Sequence, residues 1–220
     1  MSALARLLAR RIRLAGPITL AEYMAEALGH PEHGYYRRGT PIGAHGDFVT
    51  APEVSQIFGE LAGLWCVEVW LRLGEPEPVL LVELGPGRGT LMSDALRAAR
   101  VRPRFLQAVR LQLVETSATL RAEQRTALAR AAPGVAPQWH ESLAAVPEGP
   151  LLLLANEFFD ALPVHQFERR AQGWRERVVA AGEDDRLRLG LAPAGAAFAL
   201  LSPAQRAAPV RSVVEVSPAP

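Results

Sequence analysis

Val79-Leu80-Leu81-Val82-Glu83-Leu84-Gly85-Pro86-Gly87-Arg88-Gly89-Thr90 is the stretch that decides the fold. Its first four residues form a continuous apolar run, the pattern of a strand buried on both faces in a parallel sheet. The glycines that follow let the backbone turn sharply from strand into helix and pass close to a ligand. The helix expected over Leu91–Arg100 presents free N–H groups and a positive dipole end at that turn. Downstream come a strand at Leu111–Val114, a helix at Ala118–Ala131, a short segment near Gln138-Trp139 and a strand at Leu151–Leu154. Buried strands alternating with helices predict a doubly wound α/β sheet.

Glycine spacing narrows the ligand. A dinucleotide fingerprint, G-x-G-x-x-G, requires glycine where Thr90 stands, and no Lys-Ser/Thr pair follows to make a Walker loop. The order acid-x-G-x-G-x-G after a buried strand resembles the first motif of class I S-adenosylmethionine methyltransferases, a Rossmann-like fold. By that resemblance Gly85, Pro86, Gly87, Gly89 and Thr90 accommodate the methionine moiety of the cofactor, and Glu83 orients its ammonium. An ordinary glycine-rich turn is the alternative. Glu115, ending the second strand, can accept hydrogen bonds from both ribose hydroxyls; an exposed surface glutamate is the alternative there. After the fourth strand, Asn156-Glu157-Phe158-Phe159-Asp160 falls where strand carboxyl ends line the ligand crevice. Two carboxylates beside two aromatics can clamp a cationic substrate. Equally, Phe158 and Phe159 can cap the core and Asp160 a short helix.

Before this core, residues 1–75 read as a helical region with a loop-rich break between Gly29 and Pro52. Thr19 and Glu22 make a capping box ahead of a helix Leu20–Leu28, which Gly29 and Pro31 end. A long helix is expected from Glu53 to about Leu73. Met1–Leu14 has Arg6, Arg10, Arg11 and Arg13 and no acid before Glu22. That pattern is read as an amphipathic first helix in preference to a transit peptide. Beyond Val164, His165–Glu168 and Arg175–Val179 around Gly173 predict an antiparallel hairpin, with Arg186–Leu191 as a possible third strand. Ala192–Pro209 is the least structured-looking part. The expected divisions are 1–75, a helical cofactor lid and substrate region; 76–164, the cofactor-binding core; and 165–220, a β-hairpin insertion and the start of the remaining fold.

Three further segments sharpen the resemblance. Gly16-Pro17-Ile18-Thr19-Leu20-Ala21-Glu22-Tyr23-Met24, His30-Pro31-Glu32-His33-Gly34-Tyr35-Tyr36 and the run from Gly46 to Gly59 (GDFVTAPEVSQIFG) are similar to the MidA-like family, as are Val82–Thr90 and Asn156–Pro163. The resemblance covers about Gly16 to Phe167. It implies a protein methyltransferase acting on arginine, in mitochondrial members on a subunit of respiratory complex I. It also implies that Phe48 and Thr50, with Ser55 and Phe58, fold over the cofactor and exclude water. Transfer from a sulfonium is a displacement in which positioning supplies much of the rate. A protonated guanidinium offers no lone pair, so a carboxylate must orient it and take its proton; Glu157, Asp160 and Glu53 are the candidates. Family members carry seven strands and are longer, so the chain is expected to be C-terminally incomplete, with Leu151–Leu154 left as an edge strand.

Composition bounds the rivals. With 24 basic and 23 acidic residues the net charge is +1, and no basic stripe invites nucleic acid. No apolar run approaches the length of a membrane span. The single Cys66 lies in an apolar run and reads as an inert core thiol in a reducing compartment, the cytoplasm of a bacterium or the mitochondrial matrix of a eukaryote. His30, His33 and His45 lack partners at metal-ligand spacing, so no metal is expected. Oligomeric state is left open. The rival functions are a non-catalytic cofactor-binding scaffold that chaperones an assembly partner, and a nicotinamide oxidoreductase, which Thr90 opposes.

Overall fold

The computed structural model describes residues 1–35 and 50–217. These fall into two compact units, one formed by the N-terminal segment with the residues from Ala161 onward, the other ending at Asp160.

The first unit opens with α1 (Ala3–Ala15), capped by Ser2, whose Oγ accepts from the Ala5 amide at 3.2 Å. Leu8 and Ile12 pack with Ile18 and Val179, while Arg11 on the outer side bridges Glu22 and Glu26 at 3.1 and 3.2 Å. This is the amphipathic helix that the leucine spacing predicts. After β1 (Ile18–Thr19), α2 (Leu20–Gly29) starts with the expected capping box. Thr19 Oγ1 accepts from the Glu22 amide at 3.1 Å and the Glu22 carboxylate accepts from the Thr19 amide at 2.8 Å.

In the second unit, the long helix expected from Glu53 is divided into α3 (Ala51–Val54) and α4 (Gln56–Arg72). Ser55 breaks it: its backbone is extended, and its Oγ accepts from the Ile57 amide at 3.3 Å, a cap that restarts the helix. Next come β2 (Val79–Leu84), α5 (Thr90–Ala98), α6 (Pro103–Ala108), β3 (Val109–Val114), α7 (Ala118–Ala131), β4 (Gln138–His140) and β5 (Leu151–Leu154). The six-residue α6 lies outside the sequence expectation, being too short to show a periodicity. The four strands form a parallel sheet in the order β4-β3-β2-β5, with β5 at the edge.

Side chains of β2 alternate between two apolar clusters, as the pleat requires. Val79 and Leu81 join Leu111, Leu113 and Leu152 under residues of α4, α5, α6 and α7; Leu80, Val82 and Leu84 face Leu143, Val146 and Phe158. Helix α4 crosses α5 almost backbone to backbone. A β-carbon on Gly63 would stand 2.2 Å from the Ala95 carbonyl oxygen, and one on Gly59 would stand 2.6 Å from Asp94 Cβ. Across the same crossing, the Arg97 guanidinium reaches Glu60 at 2.9 Å, and within its own helix it pairs with Asp94 at 2.7 Å. Cys66 is buried in this core, which pushes its thiol up to about 12, in keeping with an inert role.

The chain then returns to the first unit. β6 (His165–Arg170) and β7 (Gly173–Ala181) form the predicted hairpin, and β8 (Leu187–Pro193) supplies the third strand. The Ala192–Pro209 stretch is more ordered than its composition suggests. It holds a 3-10 turn at Ala196–Leu200 and the short α8 (Pro203–Arg206), fixed by a Ser202–Gln205 capping box. β9 (Val213–Val216) pairs with β6, and β1 pairs with β7 through Ile18↔Val179, completing a five-stranded antiparallel sheet. No helix among the described residues is long and apolar enough to cross a membrane.

Candidate functional site

Parallel pairing brings the carboxyl ends of β2, β3 and β5 to one edge of the sheet. Leu84 is level with Val114, and Glu83 with Leu154. Three of the segments singled out in the sequence, Gly85–Thr90, Glu115 and Asn156–Asp160, therefore follow directly from that edge.

The turn after β2 is built on left-handed backbone. Gly85, Gly87 and Gly89 have φ of +59°, +54° and +82°, values that side chains other than glycine strain to adopt. Gly89 is the N-cap of α5, and its amide donates to the Pro86 carbonyl at 2.8 Å. Gly85 is exposed, while Pro86 and Gly87 are buried. Its missing side chain makes room for Phe158: a β-carbon there would meet the Phe158 ring at 2.7 Å.

Glu83 lies just beneath this turn. It is 3% exposed, and its Oε2 has no hydrogen-bond partner among the described residues. Burial pushes its carboxyl up to about 8, so at neutral pH the proton is mostly retained. A buried acid without a partner, at the base of a glycine turn, fits a cationic group arriving from outside.

Glu115 is held in place. One carboxylate oxygen accepts from the Ser117 amide at 2.8 Å, the other from Gln124 Nε2 at 3.4 Å, and its own amide donates to the His140 carbonyl at 3.0 Å. Burial raises its pKa, opposed by the amides of Ser117 and Thr116, by Gln124 and by Arg121. Gln124 and Trp139 are the residues that sequence reasoning missed. Gln124 is fully buried, and its Nε2 also donates to the Gly87 carbonyl at 2.6 Å. The available signal was position: Gln124 precedes the buried Leu128 by one helical turn, a polar residue on the core stripe of α7.

The remaining site residues are placed as follows. Thr90 Oγ1 donates to Glu53 Oε1 at 2.5 Å, which ties α3 to the first residue of α5. Thr50 is the N-cap position of α3, Ser55 caps α4, and Phe58 on α4 is largely exposed. Of that group, Glu53 is the one hydrogen-bonded to the end of the glycine turn among the described residues. Phe48 lies outside the described residues. Asn156 is half-buried, and Glu157 and Asp160 are exposed. Glu157 adopts φ +48°, left-handed backbone in a residue with a side chain, of the kind found where a site over-determines geometry. This bend puts Phe158 over Gly85 and leaves Phe159 exposed, the two rings edge-on at 5.5 Å. No cluster of metal-ligating side chains occurs among the described residues.

Residues 61–220 match a family model described as "Putative S-adenosyl-L-methionine-dependent methyltransferase". The chain is 44% identical to mouse mitochondrial protein arginine methyltransferase NDUFAF7, over 83% of this chain and 47% of the relative. It is 41% identical to the human protein, with 83% and 46% covered. The chain thus spans about half the length of the curated relatives it matches. A COG1565 superfamily protein from Burkholderia thailandensis, crystallised with S-adenosyl-homocysteine, superposes with a TM-score of 0.78 at 30% identity, covering 98% of this chain and 56% of that one.

Proposed function

This chain belongs to the S-adenosyl-L-methionine-dependent methyltransferase family whose model it matches, and from that premise we propose that it binds the cofactor at the Gly85–Thr90 turn and methylates arginine in a protein substrate. The observation that carries the reading is Glu83, a buried carboxyl with an unpartnered oxygen beneath a turn of three left-handed glycines. An amino-acid ammonium supplies the positive charge and the donors that this carboxyl lacks. Glu115, at the end of the next strand, is the proposed acceptor for the ribose hydroxyls. The cofactor brings a methyl group on a sulfonium; the chain's own residues bind, orient and deprotonate.

Glu157 and Asp160 are the proposed arginine clamp. Both are exposed and hold no ion pair among the described residues, so both are available to a guanidinium. A carboxylate at that position orients the terminal nitrogen and accepts the proton it loses on methylation. Glu53 is the third proposed acid; its bond to Thr90 Oγ1 fixes it beside the start of α5. Phe48, Thr50, Ser55 and Phe58 are proposed to cover the cofactor. A subunit of a respiratory complex is the proposed target, on the strength of the resemblance to the MidA-like family; the names of the mammalian relatives, which specify arginine methylation and mitochondria, bear on the side chain and compartment only.

Calorimetric titration with S-adenosylmethionine tests the proposal, with Gly87→Val as control. Valine at φ +54° strains the turn and fills the space the ligand needs. Micromolar binding by the chain, lost in the variant, is the expected result. A folded chain that binds no S-adenosylmethionine refutes the proposal. Binding without methylation of any arginine peptide or protein favours the scaffold reading.

A further inference from the structure

Gln124 has no solvent-exposed surface, and both donors of its amide lead to the candidate site. Nε2 donates to the Gly87 carbonyl at 2.6 Å and to Glu115 Oε2 at 3.4 Å; Oε1 accepts from Trp139 Nε1 at 2.7 Å. Its aliphatic part also touches the turn, since a β-carbon on Gly89 would lie 3.3 Å from Gln124 Cγ. A buried amide with both N–H donors and its oxygen engaged by partners on three different segments is a fixed object.

We propose that Gln124 is a positioning residue that locks the glycine turn and the ribose-binding Glu115 into one register, and that Trp139 sets the direction of its amide. This inference rests on the cofactor reading above. An indole N–H can only donate, so the atom facing Trp139 must be the amide oxygen. The NH2 group is then directed toward the Gly87 carbonyl, which can only accept, and toward Glu115, which accepts in its ionised form. With the amide reversed, its oxygen would face a carbonyl and a carboxylate and its NH2 an indole donor. Trp139 is itself held, with the Arg125 guanidinium 4.6 Å from its ring centroid. Consecutive residues of α7 thus grip the tryptophan by its edge and its face.

The start of the turn is tied to the end of β3 by the Gly85 amide, which donates to the Val114 carbonyl at 3.0 Å; Gln124 extends that tie to Gly87 and to the Glu115 side chain. Methionine and ribose moieties are covalently joined in one ligand, so two subsites held at a fixed separation bind both without first having to be ordered. Gln124 spans those two subsites directly. It also supplies a hydrogen bond to the ionised form of Glu115, and that bond opposes the effect of burial.

The test is calorimetric titration of the 220-residue chain with S-adenosyl-homocysteine from pH 5 to 8, for the wild type, Gln124→Met and Trp139→Phe. Methionine keeps the length and packing of glutamine and removes all three hydrogen bonds. The expected loss of affinity is about tenfold or more for Gln124→Met and about threefold for Trp139→Phe. Positioning through Glu115 has a second signature. Without the amide donor, Glu115 keeps its proton to higher pH, so the affinity of Gln124→Met falls off earlier on acidification than that of the wild type. A purely structural loss lowers affinity by the same factor at every pH. In a Glu115→Gln background the pH-dependent part of the Gln124→Met effect should vanish.

If Gln124→Met does not fold, Trp139→Phe carries the test, since it leaves the amide in place and removes only its guide. A wild type that binds while both variants keep its affinity and pH profile overturns the inference alone. A wild type that binds no S-adenosyl-homocysteine removes the cofactor reading and this inference with it.

Discussion

Replacing Glu83 with glutamine removes a carboxyl group that burial holds at about 8, against an ordinary 4.5. The folded chain grips this proton more tightly than the unfolded chain does. Stability is therefore highest, as far as this group is concerned, below about pH 4.5, and it declines as pH rises through the window up to about 8. At about 1.4 kcal/mol for each pH unit, the gap amounts to about 5 kcal/mol when complete, of which about 3 kcal/mol is reached at pH 7. Glutamine has nearly the same shape and no charge to bury, so its cost does not vary with pH. Urea unfolding of the ligand-free wild type and Glu83→Gln at pH 5, 6, 7 and 8 isolates the term, because every other titrating group is common to both. The wild type should lose about 3 kcal/mol relative to the variant between pH 5 and pH 8. Parallel stability curves across that range would refute the reasoning, since they would mean that Glu83 ionises without hindrance in the folded chain. The same proton should appear on binding: an ammonium beside Glu83 favours the carboxylate, so binding at pH 7 releases about 0.9 proton from this group in the wild type and none in the variant.

Glu157→Gln, Asp160→Asn and Glu53→Gln, tested one at a time against an arginine-bearing protein substrate, should lower turnover at least about tenfold in one or more cases while sparing cofactor affinity; undiminished turnover in all three removes the carboxylate clamp. Gly63→Val should destabilise the chain by more than about 3 kcal/mol, measured by thermal or chemical unfolding, because its β-carbon is directed at the Ala95 carbonyl, 2.2 Å away, where backbone and not a movable side chain stands. A Gly63→Val chain as stable as the wild type would show that α4 can slide on α5.

The parallel unit was legible because its signals are local. The run Val79–Leu84 alternates between two clusters, and the glycines at 85, 87 and 89 have the left-handed backbone that their spacing requires. The capping box at Thr19 and the hairpin around Gly173 were legible for the same reason: a few neighbouring residues determine each. Gln124 was not, because its partners Gly87 and Trp139 lie 37 and 15 residues away and meet only once α7 has packed. Nor does sequence spacing reveal that Glu53 accepts from Thr90, or that Glu157 takes φ +48°. The break at Ser55 was hidden inside an apolar run that reads equally well as one helix or two.

Pairing of β1 with β7 has a consequence for how the molecule is made. Ile18 pairs with Val179, so while the intervening chain is being synthesised the apolar side of α1, with Leu8 and Ile12, rests against near neighbours such as Leu20 and Tyr23 without the cover that β7 supplies. At about 5–20 residues per second that interval is about 8–30 s. Strands β2 to β5, by contrast, come from one uninterrupted stretch of chain and can assemble as it emerges. A nascent chain therefore carries the four paired parallel strands while α1 still lacks the part of its packing that β7 supplies. For those seconds the apolar side of α1 is a target for chaperones, and the β1–β7 pairing closes after strands β2 to β5 have met.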